Sequence, residues 1–205
     1  MTRVLRTEAE LREIVREPER LAAEKVIDHI DAESRRFIEA SPLFLLASSA
    51  DDGTCDVSPR GDPPGSVLVL DDHTLVFGDR KGNRRLDSLR NILQRPRVGM
   101  LFVVPTLRET LRVNGTAQIV TDAPYLSRLA VRNTVPELAI EVRVEELFLH
   151  CGKAFARSSL WDTSTWPAKG TVPTAGRLVR SQLGVEAPAE AIDDALRADE
   201  KLNSY

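Results

Sequence analysis

Two links in this chain are too short to let it fold as a parallel sheet. Asp51-Asp52-Gly53 separates the apolar run Leu43–Ser49 from a return strand at Cys55–Ser58, and Asp71-Asp72-His73 separates Ser66–Leu70 from Thr74–Gly78. A parallel crossover needs roughly a dozen residues or more, whereas Asp-Gly between apolar runs is a hairpin signal. Val98–Val104 reads as a nearly continuous apolar strand, Thr110–Thr121 as an alternating one, and Leu138–His150 as another. Only two helices interrupt the strands, at about Arg84–Gln94, closed by Pro96, and at about Pro124–Arg132. The pattern predicts a mainly β (α+β) fold built as a small antiparallel barrel or sandwich with peripheral helices.

The flanks differ in texture. Thr7-x-x-Glu10 has the form of a capping box, and a second helix is expected from Pro18, with Leu21, Val26, Ile27, Ile30, Phe37 and Ile38 as its apolar stripe, until Pro42 stops it. Beyond the last strand the chain is less regular and ends in an amphipathic helix over about Pro188–Asn203. This divides the chain into an N-terminal helical extension (1–40), a β-barrel (41–160) and a C-terminal extension (161–205).

A formal net charge of −3 over 205 residues argues against a protein that coats nucleic acid. No apolar run approaches the roughly 20 residues that span a bilayer, and the first ten residues lack a signal-peptide core. Cys55 and Cys151 lie far apart with no Cys-x-x-Cys or His/Cys cluster, so neither a disulfide framework nor a metal site is expected. The expectation is a cytoplasmic protein acting on a small molecule, with no membrane or nucleic-acid partner.

Against that acidic background, Arg80–Arg97 holds seven basic residues and one acid, Asp87. Its first part, Asp79-Arg80-Lys81-Gly82-Asn83-Arg84-Arg85, falls between a strand and a helix start, where free backbone N–H groups and the helix dipole favour an anion. Arginine forks there suit a phosphate. A solvated basic helix face would look the same in sequence; a nucleic-acid patch would be expected to interleave aromatics, and none is present. Ser58-Pro59-Arg60-Gly61-Asp62 puts a hydroxyl and an arginine at a barrel edge, or is a plain turn. Thr110, Arg112 and Asn114 share one strand face, which turns either to solvent or to a polar ligand; periodicity does not separate the two.

Taken in order, Leu75-Val76-Phe77-Gly78-Asp79-Arg80, Asn83-Arg84-Arg85, Leu89 and Asn91, Val98–Phe102, and Glu109-Thr110-Leu111-Arg112-Val113-Asn114-Gly115-Thr116 resemble the central stretch of the pyridoxamine 5′-phosphate oxidase family. The likeness covers roughly residues 43 to 120. Ser58-Pro59-Arg60-Gly61-Asp62-x-Pro-Gly, with His150-Cys151-x-Lys153 and Arg157-Ser158-x-x-Trp161, also looks like a bacterial subfamily known only by the general description of FMN-dependent enzymes. The resemblance implies a split β-barrel homodimer with FMN in a cleft between subunits. It implies that Arg84 and Arg85 hold the FMN phosphate, with Asn83 where the family has a serine. Ser58, Arg60 and Arg80 join the cofactor-binding set, Gly78 and Asp79 lie beside the flavin, and Thr110 meets its ring, with Arg112 on the same face. Lys153 and Trp161 would reach the partner's flavin; Trp161 read alone is equally a core or interface plug. The family's Arg/His-rich, Trp-containing tail is missing, since Gly184–Tyr205 is acidic and helical, so the resemblance does not extend to vitamin B6 oxidation. An FMN-dependent oxidoreductase is the first expectation. A flavin-binding protein without turnover, or the same barrel holding deazaflavin or heme, is the alternative.

Overall fold

The computed structural model describes residues 2–203. Seven strands form one antiparallel sheet: β1 (Leu43–Ser49), β2 (Cys55–Gly61), β3 (Val67–Asp71), β4 (Thr74–Gly78), β5 (Arg97–Val103), β6 (Thr110–Val120) and β7 (Ala139–His150). Their order is β2-β1-β5-β6-β7-β4-β3. Both short links are hairpins, joining β1 to β2 and β3 to β4. The sheet curls around an apolar core but is not closed by hydrogen bonds: β2 and β3 are its free edges. The barrel is split.

Alternation along the strands fills the interior. Phe44 and Leu46 on β1, Met100 and Phe102 on β5, and Leu111 and Val113 on β6 are all buried. Phe44 meets Phe77 edge-on at 4.9 Å and Phe102 at 5.2 Å, an arrangement aromatic quadrupoles favour. Helix α4 (Asp87–Gln94) plugs this core with Leu89 and Ile92.

Several boundaries depart from expectation for identifiable reasons. The second N-terminal helix is two: α2 (Arg20–Glu24) and α3 (Ala32–Ala40), following α1 (Glu8–Arg12). Between them Ile27 exchanges backbone bonds with Leu147 of β7, at 3.0 and 2.7 Å. Asp31 then restarts the helix, its carboxylate accepting from the Glu33 and Ser34 N–H groups at 2.8 Å. Strand β2 runs on through Pro59 to Gly61, because an edge strand tolerates a residue with no donor. The expected helix at 124–132 shrinks to a 3-10 turn at Leu126–Leu129. Past β7 come α5 (Lys153–Ser158), a helix at Ala175–Leu183 (α6) that sequence periodicity did not reveal, and α7 (Ala189–Asn203). No helix among the described residues is long and apolar enough to cross a membrane.

Candidate cofactor site

A cavity of about 1270 Å³ opens where the barrel is split. One wall is β2, with Ser58 and Arg60; the other is the segment leaving β4, with Gly78, Asp79, Arg80, Asn83 and Arg84. Its apolar side is Phe44, Val67, Phe77 and Leu89, and the first turn of α4 brings Asp87 and Ser88. Seven of the residues singled out in sequence thus meet in one place.

The segment between β4 and α4 does not enter the helix where expected. Arg84 and Leu86 both adopt left-handed backbone, φ 59° and 61°, which costs a non-glycine residue roughly 1–2 kcal/mol. That kink delays α4 to Asp87 and leaves Leu86 at its N-cap with no side chain able to cap it. The first-turn N–H groups of α4 therefore face the cavity end uncapped, in the polarity that favours an anion.

The arginines divide into three kinds. Arg60 Nη1 pairs with Asp79 Oδ1 at 2.8 Å, and Arg80 Nε pairs with Asp62 Oδ2 at 2.7 Å. Arg80 Nη2 also donates to the Leu129 carbonyl at 2.8 Å. These four side chains are only 15–21% exposed, and Arg60 Nε, Arg80 Nη1 and Asp62 Oδ1 are buried without a partner among the described residues. Arg85, expected beside Arg84 at the phosphate, is exposed, paired with Asp87 at 2.8 Å and not in the cavity lining. The Asp87 bond and charge raise the Arg85 pKa above the usual guanidinium range. An exposed pair of this kind is weak. Arg84 and Lys81, also exposed on the cavity, have no carboxylate partner among the described residues.

Ser58 Oγ donates to Asp56 Oδ2 at 2.8 Å and lies 3.1 Å from Ser88 Oγ, which also reaches Asp56 at 3.2 Å. This hydroxyl pair sits below the α4 N-terminus. Ser88 was not singled out in sequence; its signal is its position as second residue of a helix behind a basic loop. A Cβ at Gly78 would stand 2.9 Å from Pro136 Cγ, so the absence of a side chain there admits the Pro136 ring.

Thr110, Arg112, Lys153 and Trp161 do not line this cavity. Thr110 is 3% exposed and lies opposite His150. Arg112 lies opposite Phe148, its guanidinium 5.4 Å from the ring centroid, with the Lys25 ammonium at the same distance. Lys153 opens α5, and Trp161 stacks on Phe155 while its indole N–H donates to the Leu107 carbonyl at 2.6 Å. Within one chain, then, the expected residues form two groups.

The family model described as pyridoxamine 5′-phosphate oxidase matches residues 30–151, more than half of the chain and the whole sheet. The chain belongs to this family. Among solved structures, HupZ from Group A Streptococcus is similar at 22% identity over 58% of this chain and 93% of its own, with a TM-score of 0.47. General stress protein 26 from Bacillus anthracis is similar at 16% over 56% and 88%, with a TM-score of 0.40. An FMN-binding protein from Syntrophomonas wolfei is similar at 7% over 57% and 88%, with a TM-score of 0.43. No curated protein matches the chain. In this member of the pyridoxamine 5′-phosphate oxidase family the C-terminal helix brings Asp199 and Asn203 to the cavity mouth, and nothing in their sequence context signals it.

Proposed function

We propose that the chain is an FMN-dependent oxidoreductase acting on a small molecule, with the cofactor in the cavity at the split of the barrel. The observation that carries this reading is the meeting of two unlike linings in one cavity. Arg84 and Lys81, with no carboxylate partner among the described residues, line it beside the uncapped start of α4, and Phe44, Val67 and Phe77 give it an apolar side. A phosphorylated, planar, largely apolar cofactor asks for that combination, and about 1270 Å³ accommodates it.

In this reading Arg84, Lys81 and the first-turn N–H groups of α4 hold the phosphate, with Ser88 and Ser58 below. Arg85 joins them by exchanging Asp87, a weak exposed partner, for a dianion. Arg60–Asp79 and Arg80–Asp62 form the charged wall, neutral overall. When bound, the flavin supplies the redox chemistry, so the protein has only to hold it, exclude water and orient a substrate.

The reading includes a homodimer. The outward face of the sheet carries a row in register, Pro59, Leu45, Leu101, Arg112 and Phe148, flanked by Leu43 and Val57. Val57 is 61% exposed, and this apolar strip is what a second copy would cover. Arg112 lies within that strip and Lys153 follows β7, so these two would complete the partner's site rather than their own, while Thr110 is buried within its own chain.

The absorption spectrum of the purified, FMN-loaded protein tests the cofactor assignment. Two visible bands of oxidised flavin, bleached by a reduced nicotinamide, are expected. A Soret band in the protein as purified would replace the reading with heme binding, and a bound flavin that no donor reduces would leave a carrier instead of an enzyme.

A further inference from the structure

The segment 81–86 carries Lys81 and Arg84, which have no carboxylate partner among the described residues, yet is poorly held. It has no regular structure, and two of its residues are left-handed. Its own side chains bond only locally: Asn83 Oδ1 accepts from the Arg85 N–H at 3.0 Å, and Arg85 turns to Asp87. Among the described residues, no side-chain hydrogen bond or ion pair ties Lys81, Asn83 or Arg84 to another element. The segment is therefore fixed from its ends. Helix α4 anchors one end; at the other the Asp79 N–H donates to the Leu138 carbonyl at 2.9 Å, and the guanidinium of Arg80 is the last side chain held before the segment.

We infer that Asp62 is a positioning residue, which holds Arg80 and thereby sets Lys81 and Arg84 for the phosphate; this rests on the FMN reading of the cavity. Asp62 lies just past β2, its own N–H bonded to the Pro42 carbonyl at 3.1 Å. Strands β2 and β4 are not hydrogen-bonded to each other, so the 2.7 Å contact from Arg80 Nε to Asp62 Oδ2 crosses the split. Both groups are shielded from water, so salt screens the contact little, and losing one partner would strand the other charge. Arg80 is thus committed to Asp62 and to the Leu129 carbonyl, and the cations left to read a phosphate are the ones that follow it in sequence. The contact is made through Nε alone, with Asp62 Oδ1 and Arg80 Nη1 left without partners among the described residues. The neighbouring Arg60–Asp79 pair crosses the same gap and holds the backbone one residue earlier.

The test compares FMN with riboflavin, which lacks the phosphate, on the full chain carrying Asp62→Asn. Affinity for FMN is expected to fall by about tenfold or more while that for riboflavin changes less than about twofold. Amide hydrogen exchange over 81–86 is expected to rise in the cofactor-free protein as well. The exchanged pair, Asp62→Arg with Arg80→Asp, is expected to regain most of the FMN preference. Equal losses for both flavins would reduce the contact to a staple of the barrel and overturn the inference. So would unchanged FMN affinity, or an exchanged pair that folds without regaining the preference. If the unmutated protein binds neither flavin, the FMN reading fails; increased exchange over 81–86 in the mutant would still establish the tether, and unchanged exchange would remove that too.

Discussion

Arg84 and Arg85 are neighbours in sequence and opposites in structure: Arg84 lines the cavity at φ 59° with no carboxylate partner among the described residues, while Arg85 folds back onto Asp87 at 2.8 Å. The two are not interchangeable. Arg84→Ala is expected to weaken FMN binding by about 1.5–3 kcal/mol, the range for a hydrogen bond to a charged group. Arg85→Ala is expected to cost less, because releasing Asp87 offsets part of what Arg85 gives. Fluorescence titration of both variants with FMN checks the order.

The sheet's outward strip gives a second prediction. Leu101→Glu places a charge in the middle of the row between Leu45 and Arg112. In the dimer reading it yields a folded monomer by sedimentation, with FMN affinity reduced because the partner's Arg112 no longer reaches the site. A dimer that persists with this substitution would place the interface elsewhere.

Gly78→Ala tests how tightly the wall is packed. The added methyl would press on Pro136, whose ring is buried and cannot swing away. A loss of roughly 1–3 kcal/mol is expected, as for other overpacked interiors, and would be read from urea denaturation.

The C-terminal hairpin of α6 and α7 is expected to be sensitive to acid. The Thr174 hydroxyl, and after it the Gly176 N–H at 2.7 Å, hold the Asp193 carboxyl below the usual carboxylate range. A depressed pKa stabilises the fold at pH values above that of the unfolded group, and the contribution is lost as pH falls through the folded value. The hairpin is therefore expected to be intact at neutral pH and to loosen below the ordinary carboxylate range. Asp193→Asn should remove that dependence, as followed by hydrogen exchange across 175–203.

Much of the fold was legible because hairpin links and strand alternation are local. Asp51-Asp52-Gly53 and Asp71-Asp72-His73 specified antiparallel pairing, and the basic run after β4 marked the cavity's charged end. What sequence concealed was long-range or backbone-borne. Asp62 meets Arg80 only because the barrel is split between them. Pro59 reads as a break yet sits on an edge strand that needs no donor there. Arg85 pairs with Asp87 because the left-handed residues Arg84 and Leu86 delay the helix; an uninterrupted helix from Arg84 would have set these two side chains on different faces.

The relative affinity for FMN and riboflavin tests the central claim most directly, since the two ligands differ only in the phosphate that Arg84, Lys81 and the start of α4 are assigned to hold. The account predicts FMN bound tighter by about a hundredfold, or some 2.7 kcal/mol, with most of that difference lost in Arg84→Ala. Equal affinities, or a preference that Arg84→Ala leaves intact, would contradict it.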